Sequence, residues 1–278
     1  MADGSRADLR RVGYEQLKSY KRNLIFVVFL IAILTMITTT FLNPIFMRRQ
    51  IRMSNNRAIV VRQINSHFDT LADLIGAEHE DNANLLTIQQ TQPIADHIID
   101  YSLGFHWFKV NNTKLANQVL HDINLNIDKG SSSEAQRVQS KLKKQGDNAV
   151  YAVIQAFDLN IVTLGANIAI ILLLVNIVIV IVTIITLFSL LSDLHSRTNT
   201  KMVIHIATAA GMWAGFWMIL IFGILAIIPV LFNIETLPLA GLGYLMEISS
   251  SIFLEYVIVG VVIYVLCAIP WQATANNS

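Results

Sequence analysis

Two carboxylates sit where a chain seldom places them. Glu247 and Glu255 are eight residues apart in an otherwise lipid-compatible stretch, with Ser250 and Ser251 between them. On a helix they share a face to within about 80°. A carboxylate at membrane depth is costly to ionise, so there it would carry a proton or bind a cation. Apolar residues from Ile252 onward suffice for a full span, which favours placing both glutamates at the outer interface instead. No Lys or Arg stands inside the apolar runs to pair with them. Asn167 and Asn176 are the other intramembrane polar candidates. A buried amide in lipid seeks a partner on another helix or a second subunit, and helix-to-helix bonding is the expectation over a solute pathway.

Outside the apolar runs, His67, Asp69 and Asp73, then His79, Glu80 and Asp81, then Asp96, His97 and Asp100, and His121 with Asp122 form loose clusters. None has the spacing of a zinc helix or a calcium loop. Asp96 and Asp100 would lie one turn apart, as carboxylates on a solvated helix face also do. Phe105, His106, Trp107 and Phe108 are the one aromatic cluster outside the spans. They are a candidate contact for a partner or ligand, although plugging the end of a helical bundle is the favoured role. No Gly-rich phosphate loop and no nucleophile motif is present, so no catalytic residue, metal or cofactor is expected and an enzyme is not. A formal net charge of +1 gives no basic excess for nucleic acid. The single cysteine, Cys267, allows no intrachain disulfide.

What positions these residues is membrane architecture. Hydrophobic residues make up 54% of the chain and charged ones 14%, well below the usual soluble proportion of about a quarter. The stretch 161–191 has no charge at all, and as a helix it outlasts the roughly 30 Å hydrocarbon core. Residues 23–42, 161–191, 202–232 and 242–269 are expected to span, the first as an uncleaved anchor. Between them lie a basic tail at 1–22, favoured as a solvated segment with a short amphipathic helix on the membrane surface as the alternative, a polar link at 192–201, a turn at 233–241 and an uncharged tail at 270–278. The polar region 43–160 reads as four helices. Val61, Ile64, Phe68, Leu71 and Ile75 make an a/d seam, and 80–103, interrupted at Pro93, follows it. A third helix covers 112–127. Ser131 with Glu134 matches a capping box opening the fourth, which would run unbroken into 161–191. The expected fold is therefore an all-α membrane protein with four transmembrane helices and an extracytoplasmic antiparallel helical bundle inserted between the first and second spans.

Arg6, Arg10, Arg11, Lys18, Lys21 and Arg22 in the first tail, with Arg197 and Lys201 in the link, put both termini in the cytoplasm by the positive-inside rule. Arg48, Arg49, Arg52, Arg57 and Arg62, just after the first span, disagree; contact with outer-leaflet phosphates would account for them. Ala207, Gly211 and Gly215 are candidate helix-packing residues at four-residue spacing, for another span or a second copy. The layout of span, upright bundle and span resembles in architecture the input half of bacterial membrane sensors, which implies at most that the bundle receives a signal or a partner. The expectation is a non-enzymatic multi-pass protein of a bacterial plasma membrane. Its bundle would be a sensor-like or scaffolding module for a partner protein or envelope component. Its surroundings would be the lipid bilayer and a homo-oligomer or a larger membrane complex. The alternative is a small transporter or channel subunit lined by the Asn and Glu residues.

Overall fold

In lipid the backbone has only itself to bond to, and the apolar runs answer this by becoming helices. The structure is a computed structural model. It describes the backbone of residues 2–78, 80, 84–128, 130–231 and 243–275, and side chains over 18–228 and 248–275 apart from 55, 79, 81–83 and 129. Every regular element among the described residues is an α-helix: α1 (Ala2–Thr39), α2 (Pro44–Arg52), α3 (Ser54–Leu74), α4 (Ile88–Leu103), α5 (Thr113–Asn126), α6 (Ser133–Gln145), α7 (Asn148–Ala156), α8 (Leu159–Arg197), α9 (Thr200–Leu231) and α10 (Gly243–Ala275). Four stretches are long and apolar enough to cross a membrane: Lys18–Thr39, Leu159–Arg197, Thr200–Ile228 and Ile248–Ala275. The 233–241 turn, His79, Asp81 and the Glu247 side chain lie outside the described residues.

Several boundaries differ from expectation. Residues 2–22 of the basic tail are helical and continuous with the first span in α1. Most of the 192–201 link is also helical, because α8 persists to Arg197 and α9 starts at Thr200. Pro93 lies within α4 and does not break it. Pro270 likewise lies within α10, which continues to Ala275. After the first span the Asn43 side chain accepts the Ile45 and Phe46 N–H groups to open a separate short helix, α2, with Pro44 in its first turn.

The largest departure concerns the fourth polar helix. It is three pieces rather than one rod reaching into the span. The opening cap is Ser132, whose Oγ accepts the Ala135 N–H at 3.2 Å, and not Ser131. Gly146, at φ 56° and ψ −128°, separates α6 from α7, a backbone state open in practice only to glycine. Asp158, at φ 48°, separates α7 from α8. Its carbonyl then accepts the Ile161 and Val162 N–H groups at 2.8 and 3.1 Å. Asp is among the residues that tolerate this left-handed state best.

Residues 39–175 with 235–248 form one compact unit, and 1–38 with 176–234 and 249–278 form another. In the first, α3 packs on α4, α4 on α5, α5 on α7, and α7 back on α3, a closed ring of four helices; α2 lies against α3 and α4, and α6 against α7. Phe68, Leu71, Ile94, Leu115, Val119, Ile123, Val153 and Phe157 fill the middle, each essentially without exposed surface. The a/d seam of α3 and the apolar face of α5 are therefore core-facing.

In the other unit, Leu24, Leu194, Ile206 and Ala210 form a buried cluster flanked by Leu187, Leu190 and Leu191. The α1 and α8 segments run antiparallel: the Tyr20 hydroxyl donates to the Asp193 carboxylate, and Asn176 meets Leu34 and Thr38. Asn176 and Asp193 are 17 residues apart, and Tyr20 is 14 to 18 from Leu34 and Thr38, so the two helices keep register over about 26 Å.

The Asp158 break makes an opposite-sign prediction. In a continuous helix Asp158→Gly would cost about 0.3 kcal/mol, but at positive φ it should leave stability unchanged or raise it slightly. Asp158→Val should cost about 1–2 kcal/mol. Thermal unfolding of the detergent-solubilised variants checks both.

Candidate functional site

The concave feature with the most binding-site character lies in the first unit, between α2, α3 and α4. It is a cavity of about 320 Å³ walled by Met47 and Ile51 from α2, Val60 and Ile64 from α3, Ala95, Ile98 and Ile99 from α4, and Phe41 and Phe157. Three polar side chains, Gln63, His67 and Ser102, reach its surface. A largely apolar hollow with a few polar groups between packed helices is the usual form of a small-molecule site. Helix geometry creates it. Val60, Ile64 and His67 lie on one stripe of α3, and Ala95, Ile98 and Ser102 on one stripe of α4, with the small Ala95 leaving room between them.

His67 is held on both sides. Its Nδ1–H donates to the Ala156 carbonyl at 2.9 Å, and Nε2 lies 3.2 Å from the Gln63 amide nitrogen, which donates to it in this tautomer. The ring stacks on Phe157 with centroids 5.4 Å apart. The imidazole thus ties α3 to the end of α7 while presenting an edge to the cavity. Neither the cavity nor His67's place in it was anticipated from the sequence.

Beside the cavity, an open groove between α2 and α4 collects Arg48, Arg52, Arg57, Asp96, His97 and Asp100. Arg48 pairs with Asp100 at 3.0 Å and Arg52 with Asp96 at 2.5 Å. The Arg57 guanidinium donates to the Arg52 carbonyl at 2.9 Å, and Arg49 lies over the Phe46 ring. The arginines that looked misplaced after the first span are therefore engaged by the protein's own carboxylates, carbonyls and rings. Asp96 and Asp100 serve those ion pairs. His97 donates from Nδ1 to the buried carboxylate of Asp122 at 2.6 Å. No group of three or more His, Cys, Asp or Glu side chains suited to a metal is present among the described residues.

The predicted polar and aromatic candidates divide between the units. Asn167 and the aromatic cluster come together. Lys109, next to Phe108, donates its N–H to Asn167 Oδ1 at 2.7 Å and accepts from Asn167 Nδ2 through its carbonyl, also at 2.7 Å. The Lys109 amine folds back onto the Tyr101 carbonyl and lies 3.6 Å from that ring's centroid. Burial pushes the ammonium below the usual lysine range, and the charge of Lys114 adds to this. Phe105, Trp107 and Phe108 do not plug the bundle. They stand 85%, 83% and 61% exposed, while the half-buried His106 bonds to the Trp107 carbonyl. Segregating the apolar atoms outward and the polar ones inward is the reverse of a soluble loop.

Asn176 lies in the other unit and bonds from Nδ2 to the Leu34 carbonyl at 2.8 Å and to Thr38 Oγ1 at 2.5 Å. Glu255 is half-buried on α10, and the Glu247 side chain is outside the described residues. Gly211 and Gly215 face α10 of the same chain. A Cβ on Gly215 would lie 2.6 Å from the Gly260 carbonyl oxygen, and one on Gly211 would collide with Cys267 Sγ. Ala207 is partly buried one turn earlier. Ser250, between the two glutamates, donates to the Ala226 carbonyl at 2.7 Å.

Two amide anchors escaped the sequence reading. Asn65 grips the backbone of Leu86 from both sides, accepting its N–H at 2.7 Å and donating to its carbonyl at 3.0 Å. Gln90 accepts the Thr87 N–H at 2.8 Å and donates to the Asn126 carbonyl and Ser131 Oγ. Thr87-x-x-Gln90 is itself a capping-box pattern, so that signal was legible. Asn65 announces itself only as an amide beside the α3 seam. No protein-family model, curated protein or solved structure matches this chain.

Because α10 covers the Gly211/Gly215 face, Gly215→Leu should act through folding. A destabilisation of about 1–3 kcal/mol by overpacking is expected, with the stoichiometry of the folded fraction unchanged. Unfolding in detergent read beside light-scattering mass checks it; dissociation of an oligomer at unchanged stability would assign this face to a second copy.

Proposed function

We propose that this chain is a non-enzymatic, multi-pass protein of a bacterial plasma membrane, whose bundle lies outside the cytoplasm as a sensor-like receiving module. In this reading the cavity between α2, α3 and α4 takes an apolar group of an envelope component or of a partner protein. The observation that carries it is the cavity itself, a hollow of about 320 Å³ beside Phe41, two residues past the end of the first apolar span. Gln63, His67 and Ser102 supply an orienting polar edge. A ligand there touches α3 and α4 together and would tighten their packing, which is the change a receiving module needs in order to report occupancy.

Two observations weigh toward this reading over a transporter. The Asn167 amide is spent on the Lys109 backbone and that of Asn176 on α1, so both do structural work within their own units.

The test fills the hollow. Ala95, 8% exposed, lines it, so larger side chains there would enter the hollow stepwise. Native mass spectrometry of the purified wild-type protein should show one retained apolar molecule, identified by solvent extraction. Ala95→Leu should reduce its occupancy and Ala95→Phe abolish it, with unfolding midpoints confirming that both variants are folded. No retained molecule in the wild type, or equal retention in all three proteins, would overturn the reading.

A further inference from the structure

Between the end of α4 at Leu103 and the start of α5 at Thr113 the chain displays its apolar side chains outward. Phe105, Trp107, Phe108 and Val110 are 85%, 83%, 61% and 96% exposed. This segment is firmly held. Both backbone groups of Lys109 are bonded to Asn167 of α8, the Tyr101 hydroxyl bonds to the Asn111 carbonyl and to Thr163, and Asn112 bonds to Asn160 at 2.7 Å. Lys109, Asn111 and Asn112 are thus bonded inward to α4 and α8, and the side chains that remain outward are three aromatic rings and a valine. Such a surface suits a medium that dissolves rings and offers few hydrogen bonds to peptide groups.

Its level is set by its neighbours. Gly104 and His106 share a narrow crevice with Leu42, three residues beyond the end of the first apolar helix at Thr39, and with Ala169, Ile170 and Leu173 of α8. On α8 the residues alongside, Ile161, Leu164, Ile168, Ile171 and Leu172, are also exposed and apolar. The aromatic surface therefore continues the lipid-facing surface of α8 at the height where the first span stops. That is the headgroup boundary, where Trp is enriched and amphipathic rings settle. We propose that the segment 104–110 is a membrane-interface anchor, with Phe105, Trp107, Phe108 and Val110 seated among the lipid headgroups and upper acyl carbons. The anchor rests on α8 crossing a bilayer and is independent of what the cavity binds.

The test reads depth in proteoliposomes of phosphatidylcholine and phosphatidylglycerol. Trp107 is kept as the sole tryptophan by Trp213→Phe, Trp217→Phe and Trp271→Phe. Lipids brominated near the carbonyl end of the acyl chain should quench it most, those brominated near the methyl end less, and aqueous iodide least. Iodide as the strongest quencher would place the loop in water and overturn the proposal. So would strongest quenching from the methyl end, or protection from every quencher, which would mark a cover of protein.

Should the triple variant fail to fold, Phe108→Cys in a Cys267→Ala background carries a nitroxide instead. Relaxation by oxygen exceeding that by an aqueous nickel chelate is expected; the reverse overturns it. A nitroxide at Val178 of α8 separates the two readings: if it too reports water, α8 does not span, and if it reports lipid while Phe108 does not, only the anchor fails.

Discussion

At four places where this chain leaves or enters a helix, a side-chain amide takes over hydrogen bonds that the helix would have supplied. Asn65 clasps Leu86, Asn167 clasps Lys109, Gln90 joins Thr87 to Asn126 and Ser131, and Asn112 meets Asn160. A buried backbone group without a partner costs about 1–3 kcal/mol, so an asparagine that satisfies a donor and an acceptor on one residue settles a large fraction of a domain's stability at one point. The amide is suited to this because it carries donor and acceptor side by side, as a peptide does. Leu86, just before α4, and Lys109, between α4 and α5, consequently hold defined positions, and the outward side of the second becomes a shaped surface rather than a loose connection.

The membrane half follows the complementary constraint. Lipid provides no hydrophobic drive between helices, so contact depends on close backbone approach and a few polar bonds. Gly211 and Gly215 against Gly260, Tyr264 and Cys267 supply the approach. Asn176 against Leu34 and Thr38 supplies the bonding. The outward faces keep large apolar residues such as Ile185, Phe188 and Val182. Polar chemistry in these helices is used inward, between neighbours.

How much of this was readable varied with the range of the interaction involved. The four apolar stretches and the core faces of α3 and α5 depend on local composition and period, and both were legible. The Ser132 cap, one residue from the expected Ser131, was nearly so. The break at Asp158 was not, because an aspartate among apolar residues at helical spacing gives no sign that its φ will be positive. The arginines of α2 looked like a topological anomaly because their partners, Asp96 and Asp100, are 44 and 52 residues away in sequence. For the aromatic cluster an end-plug was the favoured role and a contact surface the other, and what orients the segment is Asn167, 58 residues beyond Lys109. The cavity is a property of packing and has no sequence signature of its own.

Together these features describe a helical bundle in which Leu86 and Lys109, outside the helices, have both backbone groups bonded as helical residues do. That bonding comes in pairs from single amides, and this can be measured at the two backbone positions. Residue-resolved hydrogen exchange of the full-length protein should find the Leu86 and Lys109 amides, which donate to Asn65 and Asn167, protected like helical ones. The neighbouring amide of Phe108 should exchange orders of magnitude faster. Exchange of Lys109 and Leu86 at the rate of such unprotected neighbours would contradict the account.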